Sequence, residues 1–99
     1  MQIITGFRAK VSFLKTEEGG RKGYVASRIY YPSITFGNKE TGSQFEIENL
    51  ERVLPGEQCV AKVILVSPEF VYSELKVNAP FEVREGSKIV GRGIILEVF

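Results

Sequence analysis

The sequence has 99 residues, of which 43% are hydrophobic, and its 13 basic and 12 acidic side chains give a net charge of +1. This length and composition predict one domain over residues 1–99 and exclude a disordered chain or one whose overall charge attracts nucleic acid. No apolar run approaches the roughly 20 residues of a membrane span, and residues 1–4 lack a basic targeting segment. We therefore expect a cytoplasmic protein without a membrane partner.

The cysteine and histidine counts limit the chemistry. The chain has one cysteine, Cys59, and no histidine. The common zinc sites and the Cys-His and Ser-His-Asp arrangements of covalent catalysis need more of these residues. We predict no metal site, no cofactor and no catalytic residues, and we expect Cys59 to be a buried, small hydrophobic side chain. A carboxylate pair such as Glu17 and Glu18 is the one enzymatic alternative that stays open.

The first half of the chain has the patterns of β-structure. Apolar residues alternate with polar ones over residues 7–14, which indicates a half-buried strand, and Gly19-Gly20 then indicates a loop. Residues 27–31 are rich in β-prone side chains, but Pro32 interrupts them and predicts an edge, a bend or a strand start. Extended structure resumes over residues 33–36.

The middle of the chain continues this pattern. Residues 37–42 are predicted to form a loop, and residues 45–50 alternate as a strand does. Pro55-Gly56 suits the central positions of a type II turn, because proline fixes φ and glycine supplies a positive φ. Residues 59–66 are apolar on both faces except at Lys62, as expected for a central strand.

Two more strands complete the expected sheet. Ser67-Pro68 ends the central strand, and residues 75–83 contain another, with Pro80 near its start or at a bulge. Residues 85–88 are predicted to turn, and residues 89–99 to close the sheet. No segment has a helical period over ten or more residues. About six short strands without exposed edges predict an all-β fold, with a closed six-stranded antiparallel barrel favoured over a sandwich.

Five short motifs follow one another along the chain: Phe7-Arg8-Ala9-Lys10-Val11, Glu17-Glu18-Gly19-Gly20-Arg21, Pro55-Gly56, Arg84-Glu85-Gly86 and Val90-Gly91-Arg92-Gly93. In this order they resemble the C-terminal β-barrel domain, domain 3, of translation elongation factor Tu, a GTPase that delivers aminoacyl-tRNA. The resemblance runs from about residue 7 to residue 98, and the chain stops where the elongation factor stops. It implies a stand-alone domain 3-like barrel.

The resemblance also implies a candidate RNA surface. In the family, this domain helps to hold the acceptor and T-stem of aminoacyl-tRNA through backbone and 2′-OH contacts, which suits A-form RNA. The positions that the motifs carry over are Arg21 for a phosphate, Thr41 and Glu85 for a sugar or base edge, and Gly86 for close backbone approach. The sequence has no Gly-x-x-x-x-Gly-Lys-Ser/Thr loop, so we predict no nucleotide binding by this chain.

The sequence departs from the family where the family has Gly-Tyr-Arg-Pro-Gln-Phe. Residues 29–34 lack both the Arg before the proline and the Gln after it, which reduces the expected RNA surface. Faces that contact other domains in the elongation factor would here be free for another chain. Aromatic side chains in or beside loops suit such a protein contact; the candidates are Tyr24, Tyr30, Tyr31, Phe70 and Tyr72.

Three functions therefore follow from the sequence. The favoured one is a non-catalytic interaction domain that binds a protein of the translation machinery, acts as a decoy or regulator of a partner of the elongation factor, or self-associates. The second is a module that binds the acceptor and T-stem of tRNA, weakly because few phosphates would be neutralised. The third is a small enzyme that uses a carboxylate pair.

Overall fold

The computed structural model describes residues 3–48 and 50–99. Six strands close into an antiparallel barrel, and two others form a separate two-stranded ribbon. This confirms the predicted all-β fold with a closed six-stranded barrel. The strands are β1 (Gly6–Phe13), β2 (Val25–Ala26), β3 (Ser33–Phe36), β4 (Lys39–Ile47), β5 (Arg52–Val53), β6 (Gln58–Leu65), β7 (Pro80–Glu85) and β8 (Lys88–Val98).

The order of strands around the barrel is β1-β6-β4-β3-β7-β8, and the ribbon pairs β2 with β5. Three short 3₁₀ helices lie in the connections, at Thr16–Glu18, Pro68–Phe70 and Tyr72–Glu74. Within the described part of the chain, no helix has the length and hydropathy needed to cross a membrane. The expectations for Met1 and Gln2 in the amino-terminal segment, and for Asn49 in the predicted 45–50 strand, lie outside the described residues.

The period of two in β1 sets the direction of its side chains. Phe7, Ala9 and Val11 are fully buried inside the barrel, whereas the alternate residues Arg8 and Lys10 face outward. The Phe7 ring packs edge-on against the ring of Phe81 on β7, with 5.0 Å between the centroids. Because aromatic and β-branched side chains point inward from all six strands, burial of apolar area stabilises the closed barrel.

The glycines of β8 make room for this core. Gly93 is paired with Phe81 on the neighbouring strand β7, and a Cβ atom at position 93 would lie 2.3 Å from the Phe81 ring. A Cβ atom at Gly91 would lie 3.0 Å from the carbonyl oxygen of Ser12. The Val90-Gly91-Arg92-Gly93 motif is therefore a packing requirement of the final strand.

Two predicted turns and one predicted strand start are confirmed. Gly56 has a φ of 87°, and the Glu57 N–H donates to the Leu54 carbonyl at 3.0 Å, as a type II turn requires. Gly86 has a φ of 64° in the two-residue connection between β7 and β8. Pro80 is the first residue of β7, where its missing N–H does no harm.

The β-prone residues 27–31 form no strand. Tyr30 makes only an isolated bridge to Phe45, and Arg28 adopts the left-handed region with a φ of 69°. The Tyr31 hydroxyl donates to the Arg28 carbonyl at 3.2 Å. This segment turns back on itself because tertiary contacts of Tyr30 override its β propensity.

The predicted loop over residues 37–42 is wrong beyond its first two residues. Only Gly37 and Asn38 form the turn, with Gly37 at a φ of 62°, and β4 begins at Lys39. The polar residue Thr41 favoured a loop in the sequence, but its side chain is buried, as is that of Ser43 two residues further on. Ser43 is buried because its hydroxyl donates to the Pro32 carbonyl at 2.8 Å.

Candidate functional site

Several connections meet at one end of the barrel, which we call the loop end: residues 14–24, the Pro55-Gly56 turn and the Gly86-Ser87 turn. The Gly56 N–H donates to the Phe13 carbonyl at 3.1 Å, and the Leu14 N–H donates to the Val90 carbonyl at 2.9 Å. These bonds hold the start of the 14–24 connection against its neighbours. Four of the five motifs that carry the family resemblance thus come together in space, at least in part, whereas residues 7–11 lie within β1.

The local structure of residues 14–24 explains the Glu-Glu-Gly-Gly sequence. Glu18 closes the 3₁₀ turn by accepting the Lys15 N–H at 3.0 Å, and Gly19 follows with a φ of 93°. A Cβ atom at Gly20 would lie 2.3 Å from the Leu14 carbonyl oxygen. Glu17 and Glu18 are both exposed on this turn, and Glu18 is engaged in capping it.

Arg21 ties this connection to the β7–β8 hairpin. Its Nε lies 2.5 Å from Glu85 Oε2, an ion-pair contact in which the N–H is not aligned for a hydrogen bond. Its Nη1 donates to the carbonyls of Tyr24 at 2.5 Å and Gly23 at 3.3 Å. The Arg21 side chain is one quarter exposed. Part of the guanidinium group is therefore accessible to a ligand.

Tyr30 completes the contact beneath Arg21. Its hydroxyl donates to Glu85 Oε2 at 2.5 Å, and its ring lies 5.0 Å from the Arg21 guanidinium carbon. Burial first, and the hydrogen bond to Glu85 second, raise the pKa of Tyr30 above the ordinary value of 10.0. The ring also packs against Phe13 and Phe45. Tyr30 is 8% exposed, so it belongs to the core and not to the surface on which we expected it as a protein-contact candidate.

The other aromatic candidates of this region are exposed. Tyr24 is 51% exposed and Tyr31 is 67% exposed. The Tyr24 ring contacts the Arg52 guanidinium, whose central carbon lies 5.2 Å from the ring centroid. Ile29 lies between Tyr24 and Tyr31 in the sequence and is 73% exposed, although nothing in the sequence singled it out. We call Tyr24, Ile29 and Tyr31 the aromatic surface.

A small cavity of about 240 Å³ connects the two sets of candidates. It is lined by Arg21, Tyr24, Val25, Ala26, Ile29 and Tyr30. The predicted RNA contact Arg21 and the predicted protein contact Tyr24 therefore share one site. No sequence signal marked Ile29, because an isolated apolar residue in a β-prone segment is normally part of the core.

Thr41 does not join this site. It is 3% exposed, and its hydroxyl oxygen accepts the Ser67 N–H at 2.8 Å. It pairs with Ile34 on β3, and Ile34 in turn pairs with Val83 on β7, so Thr41 lies two strands away from the hairpin of Glu85. The side chain of Thr41 is thus not on the RNA surface that the motifs implied. Gly86, in contrast, is exposed at the tip of that hairpin.

Phe70 and Tyr72 lie in a different connection, between β6 and β7. They are 63% and 50% exposed. Lys39 Nζ on β4 donates to Ser73 Oγ at 2.6 Å, which holds this connection against the start of β4. Phe70 and Tyr72 are therefore exposed, but they are not among the residues that line the cavity at the loop end.

The outer face of the barrel carries alternating charges. One row of residues that are paired across neighbouring strands shows this alternation. Lys62 on β6 pairs with Glu46 on β4 and, on its other side, with Arg8 on β1. Arg8 in turn pairs with Glu97 on β8. Arg8 Nε also donates to Glu48 Oε2 at 2.7 Å. Such exposed pairs contribute little free energy and leave no large field of one sign.

The remaining chemical predictions concern Cys59 and metals. Cys59 is buried as expected, and burial raises the pKa of its thiol to about 11. Among the described residues, no group of three or more acidic, cysteine or histidine side chains is arranged to hold a metal ion. The site at the loop end thus has hydrogen-bonding, cationic and aromatic character. That combination equips it for binding.

The sequence matches the model of the elongation factor Tu C-terminal domain over residues 1–99. The match covers the loop end, the barrel strands and the final glycine-containing strand together. It confirms the resemblance that the motifs indicated.

Proposed function

This chain belongs to the elongation factor Tu C-terminal domain family and is a translation-factor domain, and on that premise we propose that it is a non-catalytic interaction domain that binds a protein of the translation machinery. Family membership supports the setting of translation, and therefore a cytoplasmic location. The exposed aromatic surface beside Arg21 supports a protein partner.

The single observation that carries this proposal is the exposure of Tyr24, Ile29 and Tyr31 in one short segment. Ile29 and Tyr31 are 73% and 67% exposed although both are large and apolar in part. Aromatic residues and arginine are enriched in protein interfaces, where they supply buried area at low entropic cost. Arg21 adds a cationic group at the wall of the same cavity.

Such a surface supports the role of a decoy or regulator. A barrel that shares the fold of the elongation factor domain can occupy a partner of that factor in its place. Self-association through the same aromatic surface is the related possibility, since an isologous contact would bury the surface against itself. Both versions use the same residues and differ in the partner.

Affinity capture tests the proposal that the chain binds a protein partner. The purified chain and a Tyr24→Ser/Tyr31→Ser variant are each used as bait in a lysate of the cells that produce the protein. We expect the wild-type chain to retain a translation protein in stoichiometric amount and the variant to lose it. A wild-type chain that elutes as a monomer and captures no stoichiometric protein would refute the proposal.

A second candidate function is favoured by the convergence of Arg21, Glu85 and Gly86 at the loop end. The Arg21 guanidinium group is one quarter exposed and is suited to a phosphate, and the glycine permits close backbone approach at an exposed turn. Because Arg21 is already engaged by Glu85 and by two backbone carbonyls, we expect this RNA contact to be weaker than the protein contact.

Filter binding separates this candidate from the first. Aminoacylated and uncharged tRNA are titrated with the chain and with Arg21→Ala at low salt, with Lys22→Ala as the control for charge. Loss of affinity in Arg21→Ala alone would support RNA binding at the loop end. Equal affinity in both variants would reject the assigned surface.

A further inference from the structure

A second concave region lies on the outer face of the barrel. It is a groove of about 630 Å³ that crosses β6, β1, β8, β7 and β3, and it shares no lining residue with the cavity at the loop end. We call it the cationic groove. Its lining includes Lys10, Ser12, Gln58, Arg92 and Ile94.

Strand register arranges the groove into two parallel rows. The first row is polar, because Ser12 pairs with Gln58 on one side and with Arg92 on the other, and Arg92 pairs with Glu82. The second row is more apolar, because Ile94 pairs with both Lys10 and Pro80. A ligand in the groove thus meets hydrogen-bonding groups along one side and apolar groups along the other.

The lining of the groove carries two cations and one carboxylate, that of Glu82, whose charge is offset by Arg84 outside the lining. Glu82 lies directly opposite Arg92 in the register, but its Oε1 accepts from Arg84 Nη2 at 2.9 Å and from the Thr35 hydroxyl at 3.4 Å. Arg92 therefore has no ion pair within residues 3–48 and 50–99. Lys10 also has no ion pair within the described residues, and its cross-strand neighbours Val60 and Ile94 carry no charge.

The two free cations are close enough to act together. Lys10 lies directly opposite Ile94, two residues along β8 from Arg92, so the two cations are diagonal neighbours. Diagonal positions on one face of a sheet are about 7–8 Å apart, which lets long side chains reach a common carboxylate. Both residues are exposed. Their charges are thus available to an anionic group from solution.

The dimensions and chemistry indicate an extended peptide. The residues that the proposal uses lie on β1, β8 and β7, three neighbouring strands of the closed barrel. Their two spacings amount to about 10 Å, which about three residues of extended chain would cover. Ile94 is 48% exposed between the cations and Pro80, so an apolar side chain next to the acidic one would be buried. An RNA backbone presents a phosphate at every nucleotide and would leave this apolar row without an apolar partner.

We propose that the cationic groove binds an extended acidic segment of a partner protein, with carboxylates at Lys10 and Arg92 and an apolar side chain at Ile94. This goes beyond the aromatic surface. The groove uses different residues, so either site can fail its test while the other stands.

The test uses the full chain and a fluorescein-labelled octapeptide that alternates Glu and Val, with the same peptide carrying Gln for Glu as the neutral control. Binding is measured by fluorescence anisotropy at low salt for the wild type, for Lys10→Gln/Arg92→Gln, and for Lys22→Gln/Lys76→Gln. The two double variants carry the same net charge. Amide shifts in ¹⁵N spectra locate the bound peptide, and unchanged spectra elsewhere show that each variant folds.

We expect the acidic peptide to bind the wild type, with shifts at residues 10, 12, 92 and 94, and to lose about tenfold in affinity in the groove variant. That figure corresponds to about threefold for each exposed ion pair. The control variant should lose less than twofold. Equal losses in both variants, equal binding of the neutral peptide, or no binding at millimolar peptide would overturn the proposal. The proposal would also be overturned if the RNA pentauridylate, which carries four phosphates, bound more tightly than the acidic peptide and the Lys10→Gln/Arg92→Gln variant abolished that binding.

Discussion

Arg21 Nε and Glu85 Oε2 lie 2.5 Å apart, although the two residues are 64 positions apart in the chain. This contact joins the connection after β1 to the hairpin between β7 and β8. The two motifs that carried the family resemblance, Glu-Glu-Gly-Gly-Arg and Arg-Glu-Gly, are therefore halves of one structural unit. Glu85 also accepts the Tyr30 hydroxyl, so one carboxylate supports both the loop and the core.

Replacing Glu85 by Gln should destabilise the protein by about 1 kcal/mol. The side chains of the pair are 25% and 36% exposed, so solvent screening reduces the contribution of the charge, and the loss includes a weaker acceptor for Tyr30. Urea unfolding followed by circular dichroism measures the difference. Glu69→Gln is the matched control, because Glu69 is exposed and should change stability by less than about 0.5 kcal/mol. Equal stability of the two variants would contradict this role of Glu85.

Tyr30 should make the folded protein sensitive to alkali. Its pKa is raised in the folded state, so above pH 10 the unfolded chain loses this proton while the folded chain keeps it. The free energy of unfolding must then fall as pH rises above the unfolded pKa of Tyr30, by about 1 kcal/mol between pH 10 and 11.

The comparison with Tyr30→Phe isolates this effect. The variant should be less stable at pH 7, by about 1–2 kcal/mol, because it loses the hydrogen bond to Glu85. It should also lose stability less steeply above pH 10, so the difference between the two proteins narrows. Cys59 is present in both proteins, so its titration contributes equally to both pH profiles and does not affect the difference between them. Parallel pH profiles from urea unfolding would show that Tyr30 does not keep its proton in the folded state.

Cys59 should resist alkylation in the folded protein. Burial raises the pKa of its thiol from 9.0 to about 11, so at pH 8 about one molecule in a thousand carries a thiolate. Steric burial slows the reaction further. We expect iodoacetamide to modify the native chain at least a hundredfold more slowly than the urea-unfolded chain, as followed by mass spectrometry. A native rate within tenfold of the unfolded rate would contradict the burial of this thiol.

Gly93→Ala should destabilise the barrel by about 2–3 kcal/mol. The added methyl group would lie 2.3 Å from the Phe81 ring, which packs against the rings of Phe7 and Phe36. Gly23→Ala is the control, because a Cβ atom at Gly23 has no atom within 4 Å. Thermal unfolding should place the control within a few degrees of the wild type and Gly93→Ala well below it. Similar midpoints would show that the core accommodates the methyl group.

The sequence predicted most of the barrel because its strands obey local rules. The inward period of two in β1, the Pro55-Gly56 turn and the Gly86 hairpin all follow from side-chain alternation and backbone φ. Thr41 was wrongly placed in a loop, because a buried hydroxyl depends on a backbone partner, the Ser67 N–H, that lies 26 residues away. Long-range hydrogen bonds of this kind leave no local pattern.

The candidate site was predicted only in part, because its contacts are also long-range. Arg21, Glu85 and Gly86 were found from motifs, but the sequence did not indicate that Arg21 and Glu85 contact each other. Tyr30 and Tyr31 are neighbours with similar side chains, and only tertiary packing distinguishes the buried ring from the exposed one. Lys10 and Arg92 come together through strand register, which the sequence does not state.

Site-specific photo-crosslinking tests the central proposal of a protein-binding aromatic surface most directly. A benzoylphenylalanine is placed at position 31, which is 67% exposed, and in a second protein at position 66, which is 73% exposed but lies in the β6–β7 connection. We expect irradiation in the producing cells to yield one discrete adduct with a protein of the translation machinery from position 31 and none from position 66. Adducts with RNA alone, or the same protein adducts from both positions, would contradict the proposal.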